Sequence, residues 1–333
     1  MRSLPPSRRS VSPAQRAAVR LGAAAAVAAS IAVPLIRRRR RIPASVTLGS
    51  LIAGPCAIAV LRPRSRGRDI ALFTLQMWGF VMAHELPYDD PEALRRRLRI
   101  RYPIVADRLI GLGTLPNVRL QRALSVPGRV TRLDRLLSVI HWVWFMQPHL
   151  ALLFVQARHL ERFPSAARQL AATYDLGCAV YFAVPTAPPW WASEQGYTAT
   201  PVEHLAAEAA EREGPQVRRI MVDAGEQVWR RAWEPLYDSF NSNPWAAMPS
   251  LHFATSLMAA IHLAESGRIP GALGWGYAGT LGFALVYLGE HYVTDLVAGA
   301  ALVALVRRGE PVAEPAVDAV NRVLRRLERV AGG

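Results

Sequence analysis

Two short stretches of the chain combine histidine with residues that suit phosphoryl transfer. The first is Pro-Ser-Leu-His at residues 249–252, and the second, residues 289–295, contains His291 and Asp295. Asp295 follows His291 by four residues, so on a helix the carboxylate can accept one imidazole N–H and fix the tautomer. The other ring nitrogen of His291 then serves as a nucleophile, and His252 is the predicted acid–base partner.

Ser250 stands where a helix is predicted to begin. A serine at this position caps the helix, and the free backbone N–H groups beside it suit a phosphate anion. We therefore predict Ser250 as a phosphate-binding residue. The resulting site requires no metal ion, and no cofactor is predicted. Each feature alone is common in structural roles, but their joint occurrence favours the functional interpretation.

The helices that carry the two histidines are predicted to bring them together. From His252 to Glu265 one helix descends about 20 Å, and from Ala272 to Glu290 the next climbs back about 28 Å. Residues 266–271 between them, Ser-Gly-Arg-Ile-Pro-Gly, have the composition of a tight turn. We therefore expect His252 and His291 to meet on neighbouring antiparallel helices.

The composition indicates an integral membrane protein. The chain has 333 residues, is 51% hydrophobic and carries a net charge of +15, and these values exclude a disordered chain. Its 40 basic residues, all arginine, separate long apolar runs, so no nucleic-acid partner is predicted. Six to eight membrane spans are predicted from the apolar runs 18–36, 43–61, 70–87, 136–156, 169–188, 251–264, 271–288 and 292–306.

We predict an all-α integral membrane helix bundle with three regions. Residues 1–69 form a basic segment with two hydrophobic helices, which either span the membrane or lie flat on it. Residues 70–308 form a six-helix catalytic domain, and residues 309–333 a cytoplasmic amphipathic tail. The arginine bias of the loops places the long loop 189–249 outside the cytoplasm. The pattern of segment 89–135 predicts short amphipathic segments that lie on the membrane surface.

The two stretches resemble the motifs of the type 2 phosphatidic acid phosphatase superfamily. Pro-Ser-Leu-His at 249–252 resembles its Pro-Ser-x-His motif, and His-Tyr-Val-Thr-Asp at 291–295 resembles its His-x-x-x-Asp motif. Residues 181–191, which are rich in proline, resemble the inositol phosphorylceramide synthase branch more narrowly. The resemblance covers residues 70–308, and it implies a helical core of six helices.

This resemblance also implies a phosphohistidine mechanism. Carried over to this chain, His291 attacks phosphorus, Asp295 supports His291, and His252 protonates the leaving oxygen. His252 then deprotonates the acceptor, which is water in a phosphatase and a head-group hydroxyl in a transferase.

The chain departs from the family pattern where phosphate is usually bound. Many superfamily phosphatases carry Ser-Arg seven and six residues before the nucleophile, but here these positions are Ala284 and Leu285. The phosphate charge must then be met by other groups, and Arg218 and Arg219 are candidate substrate-binding residues. A solvated or headgroup-facing role is the alternative for each arginine. Further candidates of this kind are Arg230, Arg231 and the arginines within residues 95–101.

Asp175 and Tyr181 are also candidate substrate-binding residues. Asp175 lies inside an apolar run, where it either lines a substrate chamber or hydrogen-bonds to a neighbouring helix. Tyr181 begins the proline-rich stretch. His84 and His141, in contrast, are predicted to lie at the membrane interface.

The leading hypothesis is a membrane phosphotransferase that moves a phospho-head-group between lipid or polyprenyl substrates. A lipid phosphate phosphatase of the same mechanism, a catalytically silent lipid-binding scaffold and a lipid transporter are the alternatives. The predicted partners are membrane lipids. The predicted location is a bacterial cytoplasmic membrane, with the site on the extracytoplasmic face.

Overall fold

The computed structural model describes residues 11–200, 215–233 and 243–332, and these residues form helices without β-strands. In chain order the helices are α1 (Pro13–Arg40), α2 (Ala44–Leu61), α3 (Arg66–His84), α4 (Pro91–Arg97), α5 (Arg101–Ile110), α6 (Pro116–Leu124), α7 (Arg132–Val143), α8 (Gln147–Arg158), α9 (Phe163–Ala183), α10 (Pro189–Glu194), α11 (Ile220–Trp229), α12 (Leu251–Ser266), α13 (Arg268–Tyr287) and α14 (Val293–Ala331). Short 3₁₀ turns lie at Leu86–Asp89 and Arg230–Ala232. The predicted all-α fold class is confirmed.

Residues 11–86 and 310–332 pack into one unit, here called the terminal unit. α1 begins at a capping box built on Ser12, which satisfies backbone N–H groups that the first turn leaves free. α2 packs against both α1 and α3. Arg68 pairs with Glu328 at 2.8 Å, which fastens the C-terminal part of α14 within this unit.

Residues 87–309 pack into the second unit, here called the central unit. α12 packs against α8, α9 and α13, and α13 also packs against α6 and α7. α7 and α8 meet at a break with an angle of 50° between them. An apolar cluster at the end of α13 consists of Leu137, Ile220, Ala284, Tyr287 and Leu288. The connector between α13 and α14 begins directly after this cluster, whose last member is Leu288.

Three helices of the described chain are long and apolar enough to cross a membrane, namely α1, α2 and α13. The bent pair α7 and α8 makes a fourth candidate if the pair forms one broken span. These elements correspond to four of the eight predicted apolar runs. The other four runs are also helical, within α3, α9, α12 and the start of α14, but do not meet the same requirement of length and apolarity.

The C-terminal region differs from the prediction of a short span followed by a separate tail. α14 is one helix of 39 residues that continues through Pro311 and Pro315. Good helix formers, Arg, Glu and Ala, flank both prolines and keep the segment helical, although each proline removes a backbone donor and its ring crowds the carbonyl four residues before it. The packing units also divide the chain differently from the predicted regions 1–69, 70–308 and 309–333, because α3 packs on α2.

Candidate active site

The N-terminus of α12 and the N-terminus of α14 lie against each other. Ser250 caps α12, and its Oγ accepts from the backbone N–H of Phe253 at 3.3 Å. The Ser250 backbone N–H donates to the carbonyl of Asp295 at 3.0 Å. Gly299 makes this approach possible, since a Cβ there would lie 2.8 Å from the Ser250 carbonyl oxygen. The serine predicted as a phosphate ligand is therefore buried, and it holds the two helix starts together.

His252 and His291 meet as their spacing predicts. Nδ1 of His252 lies 3.1 Å from Nε2 of His291. The ring centroids are 5.3 Å apart and the planes are inclined by 62°. His291 is only 4% exposed, whereas His252 is partly exposed. One imidazole is therefore enclosed by protein, and its partner borders more open space.

Asp295 lies on the other side of the His291 ring. Its Oδ2 is 3.3 Å from Nδ1 of His291 and also accepts from the Tyr292 backbone N–H at 2.9 Å. The carboxylate is fully buried, and a carboxylate only accepts hydrogen bonds. Nδ1 of His291 therefore carries the proton, and its Nε2 presents a lone pair toward His252. By the same assignment, Nδ1 of His252 is the donor between the rings.

Asp107, a residue that the sequence did not point to, fixes the first turn of α14. Oδ2 of Asp107 accepts from the Val293 backbone N–H at 2.9 Å. Its Oδ1 accepts from the Thr294 backbone N–H at 2.8 Å and from the Thr294 hydroxyl at 2.6 Å. A buried carboxylate from α5 thus caps the helix that carries Asp295. No local motif could predict this cap, because 186 residues separate Asp107 from Val293.

Two amide side chains from α6 hold the connector between α13 and α14. Nδ2 of Asn117 donates to the carbonyls of Val286 at 2.7 Å and His291 at 3.0 Å. Gln121 donates to the carbonyl of Tyr287 at 2.8 Å. The connector contains Gly289 at a φ of 83°, a backbone conformation that glycine adopts without strain. These hydrogen bonds fix the backbone of the connector and thereby the position of the His291 side chain.

The last turn of α7 and the break that follows it supply two further rings to the site. The Trp144 ring centroid lies 4.1 Å from that of His252, and Nε1 of Trp144 donates to the Thr255 hydroxyl at 2.8 Å. The His141 ring centroid lies 4.8 Å from that of His252. His141, predicted to lie at the membrane interface, is buried inside the central unit, where α7 packs on α13.

The neighbouring arginines Arg218 and Arg219 occupy different surroundings. Nε of Arg219 lies 3.2 Å from Glu290, the residue before His291, and its guanidinium lies 3.8 Å from the centroid of the Trp190 ring. Arg218 instead pairs with Asp223 at 3.0 Å, and it donates to two backbone carbonyls of the loop before α7. Of these two arginines, Arg219 is the one that pairs with the residue next to His291.

The remaining predicted site residues either support the backbone near the histidine pair or are exposed on the surface. The buried Tyr181 hydroxyl donates to the carbonyl of Pro249 at 2.8 Å, so it supports the start of α12. Asp175 is exposed on α9, unlike the neighbouring Tyr174 and Cys178, which are buried. The arginines of 95–101 are exposed, as are Arg230 and Arg231.

Backbone pairing links three separate segments in front of α12. The Thr186 N–H donates to the carbonyl of Trp245 at 2.8 Å, and the Arg99 N–H donates to the carbonyl of Pro185 at 2.8 Å. The Tyr102 hydroxyl lies 2.8 Å from the Thr186 hydroxyl. Partial burial raises the pKa of the Tyr102 phenol to about 12, so this hydroxyl stays neutral at physiological pH. The proline-rich stretch is therefore part of the scaffold that positions the Pro-Ser-Leu-His segment.

Within the described part of the chain, no three histidine, cysteine, aspartate or glutamate side chains are grouped to hold a metal ion. The chemistry of the group is instead that of two facing imidazoles, a buried carboxylate and nearby helix N-termini. Such a group can transfer a phosphoryl group through a histidine nucleophile.

Comparison with known proteins identifies the family of the chain. A family model described as the PAP2 superfamily matches residues 118–307, which is more than half of the chain. The chain belongs to this superfamily. It is accordingly an integral membrane protein and a phosphatase or phosphotransferase that acts on lipids. The matched region contains His252, His291 and Asp295, whereas Asp107 lies outside it. No curated protein and no solved structure matches the chain.

Proposed function

We propose that the protein transfers a phospho-head-group between lipid-type substrates, in the manner of the inositol phosphorylceramide synthase-like branch, through a phosphohistidine at His291. The observation that carries the proposal is the order of three groups, with His291 between Asp295 and His252. Asp295 faces Nδ1 of His291, and Nε2 of His291 faces Nδ1 of His252 at 3.1 Å. In this order Nδ1 of His291 binds the carboxylate, Nε2 of His291 is the nucleophile, and Nδ1 of His252 is the acid–base nitrogen.

In the first half of the reaction, the phosphoryl group of the substrate enters between the two rings. The Nε2 lone pair of His291 attacks phosphorus, and the bond from phosphorus to the leaving alcohol oxygen breaks. Nδ1 of His252 gives its proton to that oxygen. Asp295 remains ionised and stabilises the positive charge that develops on the His291 ring.

In the second half, His252 acts as the base. Its Nδ1, now without a proton, takes the proton of an acceptor hydroxyl, whose oxygen attacks phosphorus. The bond between phosphorus and Nε2 of His291 breaks, and the enzyme returns to its starting protonation state. A lipid alcohol as acceptor gives the exchanged lipid. Water as acceptor gives the free phosphorylated head group from a phosphodiester, or inorganic phosphate from a phosphomonoester.

The phosphate charge is met by Arg219 together with the N-terminus of α12. Ala284 and Leu285 replace the usual Ser-Arg pair and are fully buried, so no cation is available there. Arg219 lies next to the residue that precedes His291.

We expect Arg219→Gln to raise KM for a lipid phosphate about tenfold, as for loss of one charged hydrogen bond. The matched Arg218→Gln should leave KM within about twofold. Equal KM values for the two variants would contradict this assignment.

The active site is proposed to face the extracytoplasmic side of a bacterial cytoplasmic membrane. The arginine bias of the loops supports this orientation. Gln195, which is exposed in the loop after α10, offers a test. With Cys56 and Cys178 replaced by alanine, Gln195→Cys should react in intact cells with a maleimide that cannot cross membranes. Reaction only after the cells are opened would place the loop on the cytoplasmic side.

Product analysis of the purified protein tests the proposed function. A lipid phosphodiester and a lipid alcohol acceptor are supplied together and the exchanged lipid is quantified, while phosphate release is measured in parallel on a lipid phosphomonoester. The proposal predicts exchange that His291→Gln abolishes, while His262→Gln, at the opposite end of α12, retains it. Phosphate release without exchange would leave the phosphatase alternative. Full activity of His291→Gln would exclude the phosphohistidine mechanism altogether.

A further inference from the structure

A third imidazole lies beside the histidine pair, and the mechanism above gives it no task. His141 on α7 is 5% exposed, and its ring centroid is 4.8 Å from that of His252. Neither of its ring nitrogens has a hydrogen-bond partner among the described residues. Its backbone is firmly held, because the neighbouring Ile140 carbonyl accepts from the Tyr277 hydroxyl at 2.9 Å.

Such a residue is unusual inside a protein. A neutral imidazole has one donor and one acceptor nitrogen, and burying both unpaired costs stability. A phenyl ring would pack against His252 and avoid this cost. Trp144, which contacts the same ring of His252, shows the ordinary solution, since its indole N–H is paired with Thr255. The unpaired nitrogens of His141 therefore indicate a ligand that completes them.

The position of His141 limits the chemistry of that ligand. It borders the ring of His252, the residue that exchanges a proton with an alcohol oxygen in both halves of the proposed reaction. Its electrostatic neighbours are Glu290, His291 and Arg219. A hydroxyl group both donates and accepts, so it can complete either nitrogen of a neutral imidazole. A neighbouring second hydroxyl on the same molecule could complete the other.

We propose that His141 is the hydrogen-bonding residue of an alcohol subsite on the His252 side of the reaction centre. The subsite holds a hydroxyl-bearing group next to the proton-transferring nitrogen of His252. Two sources share this chemistry, namely the leaving alcohol of the substrate and the acceptor alcohol. The inference rests on the proposed function, and it adds a binding residue that this function does not require.

The test compares His141→Phe with the unsubstituted protein in three assays. The first measures turnover of a short alkyl phosphate, the second turnover of p-nitrophenyl phosphate, and the third the ratio of transfer to glycerol over transfer to water. If the subsite holds the acceptor, the ratio falls at least about tenfold, as for loss of a hydrogen bond to the acceptor. If it holds the leaving alcohol, alkyl phosphate turnover falls by this factor and aryl phosphate turnover does not.

Three controls keep the result decisive. Trp144→Phe changes another ring contact of His252 and removes the bond to Thr255, so it should lower both turnovers alike and leave the ratio unchanged. Should His141→Phe fail to fold, His141→Leu, which also lacks polar atoms, replaces it with the same expected losses. His141→Gln, which keeps a donor and an acceptor, should retain the ratio within about threefold. Equal losses of both turnovers with an unchanged ratio, or no change in any assay, would overturn the alcohol subsite. His291→Gln would still be inactive in that case, whereas an active His291→Gln would refute the proposed function itself.

Discussion

The hairpin of α12 and α13 has a histidine–carboxylate pair at each of its two ends, and the two pairs differ in their partners. At one end Asp295 lies 3.3 Å from His291, and the carboxylate is fully buried. At the other end Glu265 lies 3.4 Å from His262, and the carboxylate is about one-third exposed. Both pairs place an acid within one turn of a histidine. Sequence spacing alone does not distinguish them.

The contacts around each carboxylate do distinguish them. Glu265 also pairs with Arg307 at 2.7 Å and with Arg162, so its charge is shared between two guanidinium groups. In the described part of the chain, Asp295 forms no ion pair with an arginine, and its ring-facing oxygen serves His291 and the Tyr292 N–H. A second imidazole then faces His291, whereas none contacts His262 among the residues that the structure describes. We infer that a facing acid–base group, rather than the carboxylate, separates a reactive histidine from a structural one.

The largest expected effect comes from removing the facing group. We expect His252→Gln to lower kcat about 10³-fold, because general acid–base catalysis is typically worth 10²–10⁴-fold. The loss should be smaller with p-nitrophenyl phosphate, whose leaving oxygen needs no proton. Steady-state kinetics on the two substrates measures this difference. An equal loss on both would contradict the role of His252 as the acid.

A smaller effect is expected when the two carboxylates are changed to amides. Asp295→Asn should lower kcat about 10²-fold, because an amide can hold the wrong tautomer of His291 and does not stabilise its positive charge. Glu265→Gln is the matched control at the other end of the hairpin. It should leave kcat within about twofold and cost at most about 1 kcal/mol of stability. Similar kinetic losses in both variants would remove the distinction between the two pairs.

The smallest expected effect concerns the cap on α14. Asp107→Ala should lower kcat about tenfold with little change in KM, because Asp295 then loses its fixed place in the first turn. It should also destabilise the protein by about 1 kcal/mol, the usual cost of a lost cap. Thr294→Val, which removes only the hydroxyl bond to Asp107, should give an intermediate result. A loss of stability with unchanged kcat would show that the cap serves folding alone.

The sequence predicted the parts of this molecule that depend on local pattern. The apolar runs predicted the long helices, and the rise of two helices joined by a short turn predicted that His252 and His291 meet. Asp295 followed from its four-residue spacing to His291. Each of these features depends on residues that lie within one helix or one hairpin.

Contacts between distant segments could not be predicted in this way. Asp107 reaches α14 from a segment that looked like a surface piece, and His141 is buried by a helix far along the chain. Arg218 and Arg219 are adjacent in sequence, and only the position of Asp223 and Glu290 separates their roles. The continuity of α14 was missed because proline and glycine usually signal a helix end.

Trapping the covalent intermediate tests the central claim most directly. The protein is mixed with a substrate carrying ³²P in the transferred group, quenched in alkali, digested and analysed for labelled peptides. The account predicts alkali-stable, acid-labile phosphate on the peptide that contains His291, with none in His291→Gln. Turnover without any labelled peptide, or a label on a different residue, would contradict a phosphohistidine at His291.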